Sequence, residues 1–383
     1  MKILHLISSN GLYGAERVVL NLAGDKNVDT VVGAVKNQHN PHLEIIDEAK
    51  RLGLKTAVFE SSGRFDFKAI SEVAKFICEN KIDILHTHNY KSDIVGLLAA
   101  RAAKSPIIAT AHGFTGASRA VNFYESVDRF ILKKFFCRVI VVNEDVFPGL
   151  LKKDIIANGI DLQMFNSEAS GRDEFRKKFG INENDIVIGT IGRLSREKNQ
   201  MLFLKAARDI LQTRKDMKFV IVGDGPEERT LKAFVRQNNM DGNVIFTGLI
   251  KNVVPVYKSF HIFVLTSTTE GVPLTILEAM ASKVPVVATR VGGIGQMIQH
   301  QKTGLLIDSG DVKGLVGCIN RLSNEPLTVK MMIDQAYIHV AKEFSIDTMQ
   351  AKYRKVYEGV LDARLSADRQ TCAGMTKKND SYS

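Results

Sequence analysis

The residues best equipped for chemistry lie in glycine-containing turns in the second half of the chain. One is Ser267-Thr268-Thr269-Glu270-Gly271-Val272-Pro273-Leu274-Thr275-Ile276-Leu277-Glu278. It follows the apolar run Ile262 to Leu265, turns through Gly271 and then takes up helical periodicity. Pro273 stands near the first helical position, where a missing N–H costs little. The first amides of a helix have no partner within it, so those of Val272, Leu274 and Thr275 could point at a phosphate, aided by the helix dipole. Glu270 in the turn and Glu278 eight residues later could bracket the two ends of one ligand. A second turn, Gly189-Thr190-Ile191-Gly192-Arg193-Leu194-Ser195-Arg196-Glu197-Lys198-Asn199, also ends an apolar run. Gly192 lets the backbone turn near a ligand, while the Arg193 fork and the Lys198 ammonium suit diphosphate oxygens and support a departing anion. A third turn, Val222-Gly223-Asp224-Gly225-Pro226-Glu227, could line a base or ribose pocket.

Such turns need strands to present them. Short apolar runs alternate with longer amphipathic ones through the whole chain, the pattern of parallel α/β sheets. In the first half the strands are expected at Ile3 to Ile7, Thr30 to Val35, Thr56 to Val58, Ile82 to His86, Ile107 to Ala111 and Val139 to Val142. In the second half they fall at Ile186 to Ile191, Phe219 to Val222, Val244 to Thr247, Ile262 to Leu265, Val286 to Ala288 and Leu305 to Ile307. Two doubly wound α/β domains follow, 1–165 and 166–345, joined through the turn-rich stretch 156–166. A last helix, about 346–365, is expected to cross back to the first domain, and 366–383 reads as a flexible tail. Ligands of open α/β sheets bind at the carboxyl ends of the strands, so function is expected in a cleft between the domains.

Composition narrows the classes. With 383 residues, 45% hydrophobic and 25% charged, each half can bury a core. The net charge is +10, and residues 1–165 carry 21 Lys+Arg against 18 Asp+Glu, so most of the excess lies beyond them. It is spread without the basic stripe and interleaved aromatics of a nucleic-acid site, and nucleic acid is excluded as a partner. Cys78, Cys137, Cys318 and Cys372 show no metal-binding or disulfide spacing, which fits a reducing cytoplasm and a site with no metal. No apolar run is long enough to span a bilayer, so any membrane contact is expected to be peripheral. The stretch 120–137 mixes Phe123, Phe130, Phe135 and Phe136 with Arg129, Lys133 and Lys134. It reads first as a core-facing helix with a basic outer face, and second as a helix lying on an anionic membrane.

Together these residues resemble glycosyltransferase family 4. The resemblance rests on Glu270 and Glu278, Gly192-Arg193-Leu194 with Lys198-Asn199, Gly223-Asp224-Gly225-Pro226, and Gly292-Gly293 followed by Thr303-Gly304-Leu305-Leu306. Asn10-Gly11-Leu12-Tyr13-Gly14-Ala15-Glu16, His86-Thr87-His88, Ala111-His112-Gly113 and Asn158-Gly159-Ile160-Asp161 extend it over nearly the whole chain. It implies a GT-B fold, two Rossmann-like domains facing a cleft, and a retaining, metal-independent transferase that uses a nucleotide diphosphate sugar. Carried over by position, Arg193 and Lys198 neutralise the diphosphate, Glu278 binds the ribose and Glu270 contacts the transferring sugar. His112 holds sugar hydroxyls or assists at the acceptor. The loop bearing Gly14 lies near donor phosphate, and Gly11, Tyr13, His86 and His88 lie toward the acceptor. Gln296 and Lys283 depart from the family pattern, at positions that bear on donor detail.

The implied acceptor is a glycan or lipid-linked glycan of a cell-surface pathway, handled at the inner face of the cytoplasmic membrane. Two other classes compete: a nucleotide-sugar epimerase or hydrolase of the same fold, and a non-catalytic scaffold homologue. The intact Arg193, Lys198, Glu270 and Glu278 speak against the scaffold. The loop at Gly11 and Gly14 lacks the third glycine of a dinucleotide fingerprint, which excludes an NAD-dependent oxidoreductase.

Overall fold

The computed structural model describes residues 1–383 except 9–10, 13, 38–42, 62–66, 113–118, 167–170 and 380–383. The chain forms two units, Met1–Ala157 with Asp347–Ser383, and Asn158–Ile346.

The first unit holds β1 (Lys2–Ile7), β2 (Asp29–Asn37), β3 (Lys55–Ser61), β4 (Ile84–Thr87), β5 (Ile107–Ala111), β6 (Arg138–Val141) and β7 (Lys153–Ile155). They pair in parallel in the order β3-β2-β1-β4-β5-β6-β7. Strands β1 and β4 are buried at almost every residue, which is why they read as unbroken apolar runs rather than alternating ones. Strand β7 escapes the sequence reading because it is a three-residue edge strand, Lys153-Asp154-Ile155, with a single apolar side chain. The helix Ile346–Asn379 belongs to this unit and sends Met349, Tyr353, Tyr357 and Val360 into its core beside Ile3, Ile84, Ile108 and Ile140. Its helical assignment continues through most of the segment expected to be a tail. Residues 366–378 contain no proline and a single glycine, so no breaker ends the helix there.

The second unit holds β8 (Ile186–Ile191), β9 (Met217–Val222), β10 (Val244–Gly248), β11 (Ile262–Leu265), β12 (Val286–Thr289) and β13 (Leu305–Ile307). These are also parallel, in the order β10-β9-β8-β11-β12-β13. In each sheet the strand order reverses once, between β1 and β4 and between β8 and β11. That reversal leaves a crevice at the strands' carboxyl ends because the flanking connections leave in opposite directions. Among the described residues no helix is long and apolar enough to cross a membrane.

Candidate functional site

In the second unit the reversal point lies between the two motifs singled out in the sequence. The turn after β8 carries Arg193 and Lys198, and the turn after the adjacent β11 carries Glu270. Lys198 Nζ donates to Glu270 Oε1 at 2.5 Å, and Ser267 Oγ donates to the same oxygen at 2.6 Å. The Glu270 side chain is 9% exposed and that of Lys198 26%, so the pair sits at the wall of the crevice, within reach of solvent. Further bonds tie the turns together. Thr266 Oγ1 donates to the Asn199 carbonyl at 2.9 Å, and the Thr268 amide to that of Glu197 at 2.8 Å. Arg193 is exposed, and its carbonyl accepts from the buried Gln200 at 2.9 Å.

The glycines explain how close these turns come. A Cβ on Gly223 (φ +128°) would stand 2.1 Å from the Gly192 carbonyl oxygen, so the β9 turn can press on the β8 turn only without a side chain. The contact is held by Gly192 N–H to Val222 O at 3.0 Å and Leu194 N–H to Asp224 O at 2.7 Å. Gly225 meets Leu194 in the same way. Gly292 (φ +47°) does this for the acidic turn: a Cβ there would lie 1.9 Å from the Glu270 carbonyl oxygen. Gly223 and Gly225 therefore buttress the Arg193 turn, and Gly292 buttresses Glu270.

The helix Leu274–Ala281 has Pro273 at its N-cap, one position earlier than expected, and no side chain caps it. The Val272 carbonyl accepts from Asn158 Nδ2 at 2.9 Å. Gly271, Leu274 and Thr275 are partly exposed at this helix start. Glu278 lies one turn further on, 4% exposed, its Oε2 accepting from the Tyr257 hydroxyl at 2.8 Å. The Thr275 carbonyl oxygen lies 3.1 Å from the same hydroxyl, whose one proton the two acceptors share, so Tyr257 touches both the carboxylate and the first turn. Tyr257 and Ser267 support these carboxylates although the sequence reading gave them no role, and Gly292 figured there only as part of the family pattern. Ser267 stood inside the motif, but Tyr257 lies on an ordinary amphipathic helix with nothing to mark it.

In the first unit the reversal point carries histidines. His86 of β4 is fully buried, with Nδ1 on the Tyr357 hydroxyl at 2.9 Å and Nε2 on Thr110 Oγ1 at 2.8 Å. Both ring nitrogens are thus occupied within the unit, and His86 has none left for an acceptor. His88 Nε2 meets His5 Nδ1 at 3.1 Å, and His88 Nδ1 meets Nε2 of the half-buried His112 at 3.4 Å. Burial lowers all four imidazoles: His5 to about 3, His112 to about 4, and His86 and His88 well below the usual value. They stand neutral at physiological pH. His5, on the apolar strand β1, is a member of this array.

Asn89 Nδ2 donates to the Ser8 carbonyl at 2.7 Å, joining the ends of β4 and β1, and Asn89 also caps helix Tyr90–Ala103. Gly11 is buried in the turn before helix Gly14–Ala23, which Gly14 opens with free space where a Cβ would stand. Tyr13 lies outside the described residues. Behind β4, Asp93 and Asp128 share the interior. Burial and then the charge of Asp128 raise Asp93 well above the carboxylate range, and burial pushes Asp128 up to about 7.

The family models agree with the division into two halves. "Glycosyltransferase Family 4" matches residues 13–164 and "Glycosyl transferases group 1" matches residues 171–339. The chain belongs to glycosyltransferase family 4. An Escherichia coli relative, UDP-Gal:alpha-D-GlcNAc-diphosphoundecaprenol alpha-1,3-galactosyltransferase, is 27% identical over 93% of this chain and 96% of its own. N-acetyl-alpha-D-glucosaminyl L-malate synthase of Bacillus anthracis is 27% identical over 78% of this chain and 80% of its own. Among solved structures, Anabaena HepE in complex with UDP-glucose superposes with a TM-score of 0.83 at 20% identity, covering 94% of this chain and all of that one. A Rickettsia africae glycosyltransferase gives a TM-score of 0.78, also at 20% identity, over 94% of this chain and 98% of that one. The fold is therefore of the GT-B class, and this family 4 enzyme is a glycosyltransferase that uses a nucleotide-sugar donor.

Proposed function

We propose that the enzyme transfers a sugar, with retention of anomeric configuration, from a uridine diphosphate sugar to a hydroxyl of a lipid-linked or cell-surface glycan. The Lys198–Glu270 pair at the β8/β11 reversal point carries this reading, because it sets a cation for the diphosphate beside a carboxylate for the sugar. Arg193 and Lys198 share the diphosphate charge, and the amides of Val272, Leu274 and Thr275 add their dipoles at the helix start. Glu278, held by Tyr257, takes the ribose hydroxyls. Glu270 orients the transferring sugar, and His112 bonds its hydroxyls.

The bond from the anomeric carbon to the diphosphate oxygen breaks as the acceptor oxygen bonds the same face. The departing diphosphate oxygen, stabilised by Arg193 and Lys198, receives the acceptor's proton. The positive charge for this step comes from side chains, and we propose that no metal is required. The uridine base is supported by the Escherichia coli relative named for UDP-Gal and by HepE bound to UDP-glucose.

The acceptor is proposed to reside at the inner face of the cytoplasmic membrane. Helix Arg119–Phe135 buries Leu132 while Phe130, Arg129, Lys133 and Lys134 face outward, with Lys134 over the Phe130 ring. That is an apolar and basic face suited to anionic lipid. The decisive experiment incubates the purified enzyme with UDP-sugars and a lipid-linked acceptor, with and without EDTA, and reads the new anomeric signal by NMR. A linkage of the donor's own configuration, formed equally with EDTA, is expected; an inverted linkage or a product formed without acceptor would refute the proposal. Flotation with vesicles containing anionic lipid, lost in Phe130→Ser/Lys134→Ser, tests the membrane face.

A further inference from the structure

Three imidazoles of the first unit form an unbranched series from its core outward: His5, His88 and His112. The two contacts between them, at 3.1 and 3.4 Å, each require one proton. Burial, complete for His5 and His88 and partial for His112, keeps all three rings neutral, so each has a single N–H to place. His88 sits in the middle and decides the rest. If it carries its proton on Nε2 and donates to His5, then His112 must donate from Nε2 and His5 is left with N–H at Nε2. If it carries the proton on Nδ1, His5 must donate from Nδ1, and His112 carries its own proton on Nδ1. No other arrangement satisfies both contacts.

The inner end separates these two states. His5 Nε2 is buried and, among the described residues, has no hydrogen-bond partner. An N–H forced into such a place loses a donor bond that water would have satisfied. A bare lone pair there is the lesser loss, as buried unpaired donors are the rarer in proteins. We propose that His5 and His88 are positioning residues that hold His112 in its Nδ1–H tautomer, so that this half-buried ring offers a hydrogen-bond donor rather than an acceptor at the ends of the strands. His86 takes no part, since Tyr357 and Thr110 occupy its two nitrogens. The same occupancy argues against reading His5, His86 and His88 as a metal site, although one nitrogen from each lies within 4.8 Å of the others. Under the transferase reading, the donor would meet an oxygen of the sugar; the tautomer itself does not depend on that reading.

The test is a long-range proton–nitrogen correlation spectrum of the whole protein labelled with 15N-histidine, the rings assigned by single substitution. Protonated-type shifts at Nδ1 and unprotonated-type shifts at Nε2 are expected for His5, His88 and His112. An Nε2–H signature at any of the three overturns the proposal, as does displacement of these signals by added zinc at stoichiometric concentration. In His88→Phe, which removes the donor to His112, the His112 signals should leave the pure Nδ1–H position. Its kcat should fall about tenfold while the Kd for UDP is unchanged. A His112 spectrum unmoved by His88→Phe overturns the positioning role. An inactive wild-type protein with the expected spectrum would count against the transferase reading and leave the relay standing.

Discussion

Removing Lys198 should do more than delete one contact, because of what it leaves behind. In Lys198→Ala the donor lacks a charge-assisted bond to its diphosphate, worth about 1.5–3 kcal/mol, or roughly 10- to 150-fold in affinity. Glu270 then keeps its bond from Ser267 at 2.6 Å but has lost its cation, and a carboxylate of 9% exposure faces the incoming anion alone. Two like charges at about 4 Å repel by about 1 kcal/mol in water and about 4 kcal/mol near a protein surface. A site at the crevice wall falls between, and about 1.5 kcal/mol adds roughly another tenfold. Glu270→Gln in the Lys198→Ala background removes that repulsion while retaining an oxygen for Ser267. Titration calorimetry with UDP should show the double variant binding about tenfold more tightly than Lys198→Ala alone. Equal or weaker binding by the double variant would refute the idea that the ion pair is spent on the ligand's charge, and would make it a structural link between the two turns.

Other expectations follow from the supports. Gly292→Ala forces a Cβ to within 1.9 Å of the Glu270 carbonyl and strains a positive φ, so it should cost more than about 1 kcal/mol and weaken UDP binding; paired melting and calorimetry would check both. Tyr357→Phe leaves the buried His86 Nδ1 without its 2.9 Å partner and should cost about 1–3 kcal/mol, seen as a lower melting temperature for the first unit. Asp128 holds its proton up to about pH 7 in the fold but only to about 4 when unfolded, so the folded form binds the extra proton between those values. Its contribution is present at low pH and lost as pH rises through about 7. Asp128→Asn should therefore gain stability relative to wild type as pH is raised from 4 to 8, and a constant difference across that range in pH-dependent melting would contradict it.

The second unit was readable because its chemistry and its topology share the same residues. A turn that must bind phosphate after a buried strand needs glycine, a cation or a free helix start, and those leave a pattern in one stretch of chain. Arg193, Lys198 and Glu270 were singled out on that basis, and the structure brings their two turns together. The supports carried no such pattern, because Tyr257 bonds Glu278 from 21 residues away and Gly292 serves Glu270 by being small. The histidines illustrate the opposite difficulty. His86 looked like a ligand-facing group at a strand end, yet its nitrogens are consumed by Tyr357 and Thr110, 271 and 24 residues distant. His5 stands on an apolar strand with no motif around it, yet it ends a series that reaches His112. No local spacing distinguishes these two cases; only the strand order β1-β4-β5, which sets the three histidine-bearing segments side by side, does so.

The first unit is written in two pieces, with the whole of Asn158–Ile346 interposed between them. During synthesis its seven strands emerge early, but the cavity meant for Met349, Tyr353, Tyr357 and Val360 stays unfilled until the second unit has been made. The half translated first is thus the half completed last, whereas the later half has all its residues contiguous and can fold as soon as it clears the ribosome. Over that interval the nascent sheet shows an apolar surface that a chaperone could hold. A ribosome that stalls before residue 347 would release a chain whose second unit is whole and whose first unit lacks Met349, Tyr353, Tyr357 and Val360 from its core.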